Sequence, residues 1–101
     1  MAERRGARRA ELKSLCTFSL DGKQLPALIV NLSDQGALLR FAAGTDAAVT
    51  DADLGTDASL VLATVTPHRL YTGEVIRFYF AENAQHVVLR FWKKYREIPA
   101  K

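Results

Sequence analysis

LKSLCTFSLDGKQLPALIVNLSDQGALLRF, residues Leu12 to Phe41, holds the clearest structural signal in the chain. From Leu12 to Leu20 the even positions are mostly apolar, as Leu12, Cys16, Phe18 and Leu20, whereas Lys13, Thr17 and Ser19 are polar; Ser14 and Leu15 break the pattern slightly. A period of two suits a half-buried strand. Asp21-Gly22 follows at once, and an Asp-Gly pair between apolar runs predicts a tight hairpin because glycine takes a positive φ at little cost. A second strand is then expected over Gln24 to Leu32. Ser33-Asp34-Gln35-Gly36 reads as a tight turn, with Gly36 suited to a left-handed conformation, and a third strand runs from Ala37 to Phe41.

Downstream, Ala42 to Ala58 is rich in Ala, Thr, Asp and Gly, lacks periodicity and reads as a long loop. Leu60 to Val65 resumes β-branched and apolar character as a fourth strand. Pro67-His68 marks a turn, and Leu70 to Phe80 and Gln85 to Trp92, joined by Ala-Glu-Asn-Ala, supply strands five and six. The aromatics of this region, Phe78, Tyr79, Phe80, Phe91, Trp92 and Tyr95, allow a partner-binding patch but read first as core, as aromatics on closing strands usually are. The tail Lys93 to Lys101 has room for a single helical turn. Six short strands and no long amphipathic helix predict an all-β, six-stranded antiparallel barrel, since closure removes exposed edges. The expected organisation is an arm at 1–11, a barrel at 12–92 and a tail at 93–101.

At 101 residues the chain can enclose one core, and its 49% apolar and 25% charged content is that of a folded globular protein. No apolar run approaches the ~18 residues that span a bilayer, and no signal peptide is visible at the N-terminus. Cys16 is the sole cysteine, which excludes an internal disulfide, and its apolar neighbours place it in the core. A cytoplasmic location is expected. The net charge of +3 is concentrated in the first nine residues, where Arg4, Arg5, Arg8 and Arg9 stand against Glu3 alone.

Two groups of residues could carry chemistry. The arm holds Arg4-Arg5-Gly6-Ala7-Arg8-Arg9, and the planar guanidinium suits phosphate oxygens, the O6/N7 edge of guanine and stacking on a base. At the end of strand two, Asn31-Leu32-Ser33-Asp34-Gln35-Gly36 sends Asn31 and Ser33 to one face and Leu32 to the other. Asn31 can donate to or accept from a base edge, and the Ser33 hydroxyl can reach a phosphate or an amine. Read singly, the first is a solvated basic tail and the second an ordinary turn. Arg40 and Arg77 are outward candidates on strands three and five. Gly73, in mid-strand, marks either a barrel bend or a close approach to a ligand.

His68 and His86 lack metal-site spacing, and in Asp51-Ala52-Asp53-Leu54-Gly55-Thr56-Asp57 the glycine comes one place early for a calcium loop, with Leu62 where the closing glutamate belongs. No metal or cofactor is expected. Neither a nucleophile elbow nor a phosphate loop occurs, so the chain does not read as an enzyme.

Together the arm and the turn resemble the PilZ family, whose signature is Arg-x-x-x-Arg before the first strand and (Asp/Asn)-x-Ser-x-x-Gly after the second. The matching residues are Arg5-Gly6-Ala7-Arg8-Arg9 and Asn31 to Gly36. Glu3-Arg4-Arg5, Gly36-Ala37-Leu38-Leu39, Thr72 to Arg77 and Val87 to Phe91 are also similar to family sequence. Arg4 to Arg8 satisfies the arginine spacing as well; Arg5 to Arg9 keeps the Glu-Arg-Arg lead-in in its usual place. The resemblance implies a bacterial receptor for cyclic di-GMP whose arm orders over the ligand. Arg5 and Arg9 would grip guanine and phosphate, Asn31 and Ser33 would read guanine, and Gly36 would shape the turn. Arg4 ahead of the motif implies two intercalated ligand molecules per chain. Output would pass to a separate protein in motility, polysaccharide synthesis or chemotaxis. The rival readings are a barrel binding RNA or single-stranded DNA through the arm, and a PilZ-fold adaptor that binds protein alone.

Overall fold

Alternation decides which residues turn inward. In the computed structural model of the protein, which describes residues 14–42 and 47–99, Cys16, Phe18 and Leu20 of β1 (Ser14–Leu20) are buried while Leu15 and Thr17 are exposed. β1 pairs with β2 (Lys23–Leu32) through a turn whose two residues, Asp21 and Gly22, both have positive φ, 52° and 84°. That geometry matches the right-handed twist of the flanking strands and is the expected Asp-Gly hairpin. Glu82 and Asn83, at φ 56° and 62°, make the same kind of turn between β5 (His68–Ala81) and β6 (Ala84–Phe91).

β3 (Gly36–Arg40) and β4 (Asp57–Leu62) complete the circuit. The antiparallel order is β4-β1-β2-β3-β6-β5, and β5 pairs with β4 to close a six-stranded barrel. β4 begins at Asp57, earlier than the apolar residues alone suggest. β5 is fourteen residues long and serves both neighbours, its first half pairing with β4 and its second with β6. The core between the walls includes Phe18, Ile29, Leu39, Leu60, Val75, Val87 and Leu89, each almost wholly buried, with Phe18 set edge-on to Phe41 at 5.4 Å.

The tail forms no helical turn over its described part. Arg96–Ile98 is a seventh strand, β7, paired with His68–Leu70 of β5 where β6 has ended. Aromatic packing explains it: Tyr95 lies 5.2 Å from Tyr71, and the Arg69 guanidinium covers the Tyr95 ring at 4.3 Å. The expected aromatic core is only partly realised. Phe91 is buried and Phe78 and Tyr95 pack against the core, but Tyr79, Phe80 and Trp92 are exposed. Phe80 sits next to the β5–β6 turn and Trp92 just past the end of β6, where neighbouring strands no longer cover them.

The segment read as a loop after β3 contains a short 3-10 turn at Asp51–Asp53, where Thr50 N–H donates to the Asp53 carboxylate at 2.9 Å. It is fixed to the barrel by Gln85, which is buried. The Gln85 side-chain carbonyl accepts from the N–H groups of Ala48 (2.7 Å) and Val49 (3.2 Å), and its amide donates to Val49 O (2.7 Å). On the other side of the same segment, Phe41 N–H donates to the backbone oxygen of Gln85 at 3.0 Å. A buried amide with its bonds satisfied in this way is stabilising rather than costly.

Candidate functional site

Two β-bulges prepare the outer face of β2, β3, β6 and β5. Ile29 points inward, so strict alternation would send Asn31 inward as well; the register shifts between them, and Asn31 instead pairs outward with Leu38. On β5, Val75 points inward and the shift before Arg77 turns that residue outward against Val88. Each bulge inserts one residue, Val30 or Ile76, and reverses the phase of everything after it. The outcome is a continuous cross-strand row, Asn31–Leu38–Val88–Arg77, with a polar group at each end and an apolar middle.

This row floors an open depression of about 610 Å³. Ser33, Gln35 and Gly36 border it at the β2–β3 turn, Ile76 and Tyr79 on β5, and Arg90 on β6. Tyr79 is held parallel to His86, with ring centroids 4.9 Å apart and planes 4° from coplanar, and Arg77 lies over its ring at 5.6 Å. An aromatic plane locked by stacking, an apolar floor, an amide and two guanidinium groups together suit a flat, polar-edged, anionic ligand.

The turn is built from its own residues. Ser33 N–H donates to Gly36 O at 2.9 Å, the Ser33 hydroxyl accepts from Gln35 N–H at 3.1 Å, and Gln35 O accepts from Phe91 N–H at 2.8 Å. Ser33 Oγ therefore shapes the turn while keeping a face toward the depression. Gly36 does not adopt the left-handed conformation read from the sequence; the positive-φ glycines among the described residues are Gly22 and Gly55. Its requirement is steric, because a Cβ there would collide with the Leu89 carbonyl oxygen of β6. Gly73 is governed in the same way. A Cβ on it would strike the Arg90 carbonyl and stand 2.8 Å from Phe91 Cα, and Gly73 is absent from the lining of the depression.

The structure thus brings Asn31, Ser33, Gly36 and Arg77 together and leaves Gly73 outside the depression, pressed sideways against β6. Arg40 sits half-buried in the neighbouring row, between Leu28 and His86, with its Nε enclosed and unpaired. Arg4, Arg5 and Arg9 lie outside the described residues. Val88, Leu38 and Arg90 carry no site signal in the sequence, and Tyr79, expected in the core, lines the depression instead. Only the outward direction of Val88 and Arg90 is legible, in the period of two along β6, once Val87 and Leu89 are known to point inward. Burial pushes the Cys16 thiol up to about 11, which leaves it protonated and inert near neutrality. Among the described residues no group of three or more His, Cys, Asp or Glu could hold a metal, and no helix is long and apolar enough to cross a membrane.

A closed six-stranded barrel with a polar-rimmed outer depression beside an Asn-x-Ser-x-x-Gly turn defines a small all-β domain with one candidate ligand face. The model of the PilZ domain matches residues 3–98, and the chain belongs to the PilZ domain family, whose members are receptor and adaptor domains for cyclic di-GMP. Among solved structures it is similar to the Bacillus subtilis inhibitor of motility (MotI/DgrA), with a TM-score of 0.66 and 15% identity over 92% of this chain and 44% of that one. At that identity the likeness is one of fold, and this chain spans less than half of that protein's length. No curated protein sequence matches.

Proposed function

We propose that the chain is a cyclic di-GMP receptor that takes its ligand on the outer face of β2, β3, β6 and β5. The observation that carries this reading is the Asn31–Leu38–Val88–Arg77 row: two bulges deliver a base-reading amide and a guanidinium to opposite ends of one apolar strip. A guanine laid on Leu38 and Val88 offers its edge to Asn31 and Ser33, and its purine plane has Tyr79 beside it. The family signature supplies Arg5 and Arg9 as the clamp that the arm closes over the ligand, with Arg4 favouring a second, intercalated molecule. Ordering a segment on binding costs ~2–5 kcal/mol of the gross interaction, which several charge-assisted bonds can offset. The liganded domain then acts in the cytoplasm on a separate protein of motility, polysaccharide synthesis or chemotaxis.

Calorimetric titration of the full chain with cyclic di-GMP, GTP and single-stranded RNA tests the reading. Saturable binding of cyclic di-GMP alone is expected, at two molecules per chain. Arg5→Ala and Arg9→Ala should each weaken it at least tenfold, about 1.4 kcal/mol. Unchanged affinity in both variants refutes the site, and a stoichiometry of one removes the role given to Arg4.

A further inference from the structure

Beside the Asn31–Leu38–Val88–Arg77 row runs a second one, Gly36–Arg90–Glu74, with one residue from each of β3, β6 and β5. Arg90 borders the depression; Glu74 does not. Arg90 Nη2 donates to Glu74 Oε2 at 2.7 Å, so the guanidinium leans across to β5, away from the turn. On its other side stands Gly36, which has no side chain, leaving the way from Arg90 to the Ser33–Gly36 turn open. The two partners differ in exposure: the Arg90 side chain is 64% accessible and that of Glu74 21%. Glu74 is the more enclosed member of the pair and Arg90 the more exposed one.

Such a pair is held weakly, because an exposed ion pair is screened by water and must order two side chains. A phosphodiester presents the same planar pair of anionic oxygens to a guanidinium as a carboxylate does. A phosphate seated on the depression therefore meets an arginine that is near, accessible and already occupied by an internal anion.

We infer that Arg90 is a phosphate ligand of this site and that Glu74 is its built-in competitor. The inference rests on the cyclic di-GMP reading above and assigns a regulator of affinity within it. In the free protein Glu74 keeps Arg90 on the β5 side; on binding, the phosphodiester displaces the carboxylate and Arg90 moves over Gly36 toward the turn. No bond is made or broken covalently. The carboxylate thereby sets the ligand concentration at which the receptor fills.

The test is a double-mutant cycle read by calorimetry with cyclic di-GMP on the full chain, using Glu74→Gln, Arg90→Ala and the two combined. Glu74→Gln keeps the shape, removes the competitor and should tighten binding about two- to fivefold, the worth of an exposed pair. Arg90→Ala should weaken it about tenfold, as for a lost charge-assisted bond. In the Arg90→Ala background Glu74→Gln should change nothing. Should Arg90→Ala fail to fold in a thermal melt, Arg90→Gln keeps the stem and carries the same test.

Tightening by Glu74→Gln that persists without Arg90 would reduce the effect to bulk charge and overturn the inference. So would a Glu74→Gln variant with unchanged or weaker binding. Those outcomes leave the receptor reading intact, whereas a wild-type chain that does not bind cyclic di-GMP overturns both.

Discussion

At one end of β2 the chain turns through Asp21-Gly22, both at positive φ, and an added Cβ on Gly22 would meet nothing within 4 Å. At the other end it turns through Ser33 to Gly36, where Gly36 has an ordinary φ and an added Cβ would run into the Leu89 carbonyl. Both glycines follow polar residues at the end of a strand, and from sequence both invite the same explanation. The first is there for its backbone conformation, the second for what it lets come near. The hairpin is thus a local solution that belongs to two strands. The β2–β3 turn is a tertiary one, because Gly36 lets β6 lie close against β3, and both strands line the depression.

Substitution separates the two cases. Gly36→Ala should cost about 3 kcal/mol in denaturant unfolding, at the upper end for an overpacked site, because the opposing atom is backbone and cannot rotate away. The same change should weaken ligand binding, since β6 carries Val88 and Arg90. Gly22→Ala should cost only about 1–2 kcal/mol, the price of a left-handed alanine, and should leave binding unaltered. Equal losses in the two variants would break the distinction.

The hairpin also carries a reporter of its own in Cys16, which pairs with Ala27. Burial raises the thiol from 9.0 to about 11 in the folded state. A raised pKa contributes stability that is complete below pH 9 and is lost as the pH climbs through 11, amounting to about 1 kcal/mol at pH 10. Unfolding curves between pH 8 and 11 should show this decline in the wild type and lack it in Cys16→Ala. Smallest of all, Gly22→Asn should be neutral within a few tenths of a kcal/mol, since asparagine tolerates the left-handed region.

Much of the barrel could be read in advance because its signals are local. The Asp21-Gly22 turn and the alternation along β1 and β6 each depend on residues a few places apart. What could not be read depends on distant partners. Nothing in Leu28-Ile29-Val30-Asn31 announces that Val30 is the extra residue, since a bulge is decided by how β2 meets β3. Nor does Arg96-Glu97-Ile98 look like a strand; β7 exists because Tyr95 finds Tyr71 and because β6 stops short of the end of β5. The same holds for the site. Asn31, Ser33 and Gly36 are contiguous enough to form a motif, whereas Arg90 and Tyr79 enter only through cross-strand pairing.

The double hold that Gln85 exerts has a practical consequence. The chain departs from β3 with Phe41 bonded to the Gln85 main chain and comes back with Ala48 and Val49 bonded to its side chain. Departure and return are therefore registered against one residue, whatever length of polypeptide connects them. Since lengthening a loop between fixed ends adds only a logarithmic entropic cost, a fluorescent reporter or affinity peptide spliced between Ala42 and Ala47 should be carried by the barrel without disturbing its walls. The graft would leave from the β3–β4 connection, at the opposite end of β3 from the Ser33–Gly36 turn, so the face proposed to take the ligand would stay open to a binding assay.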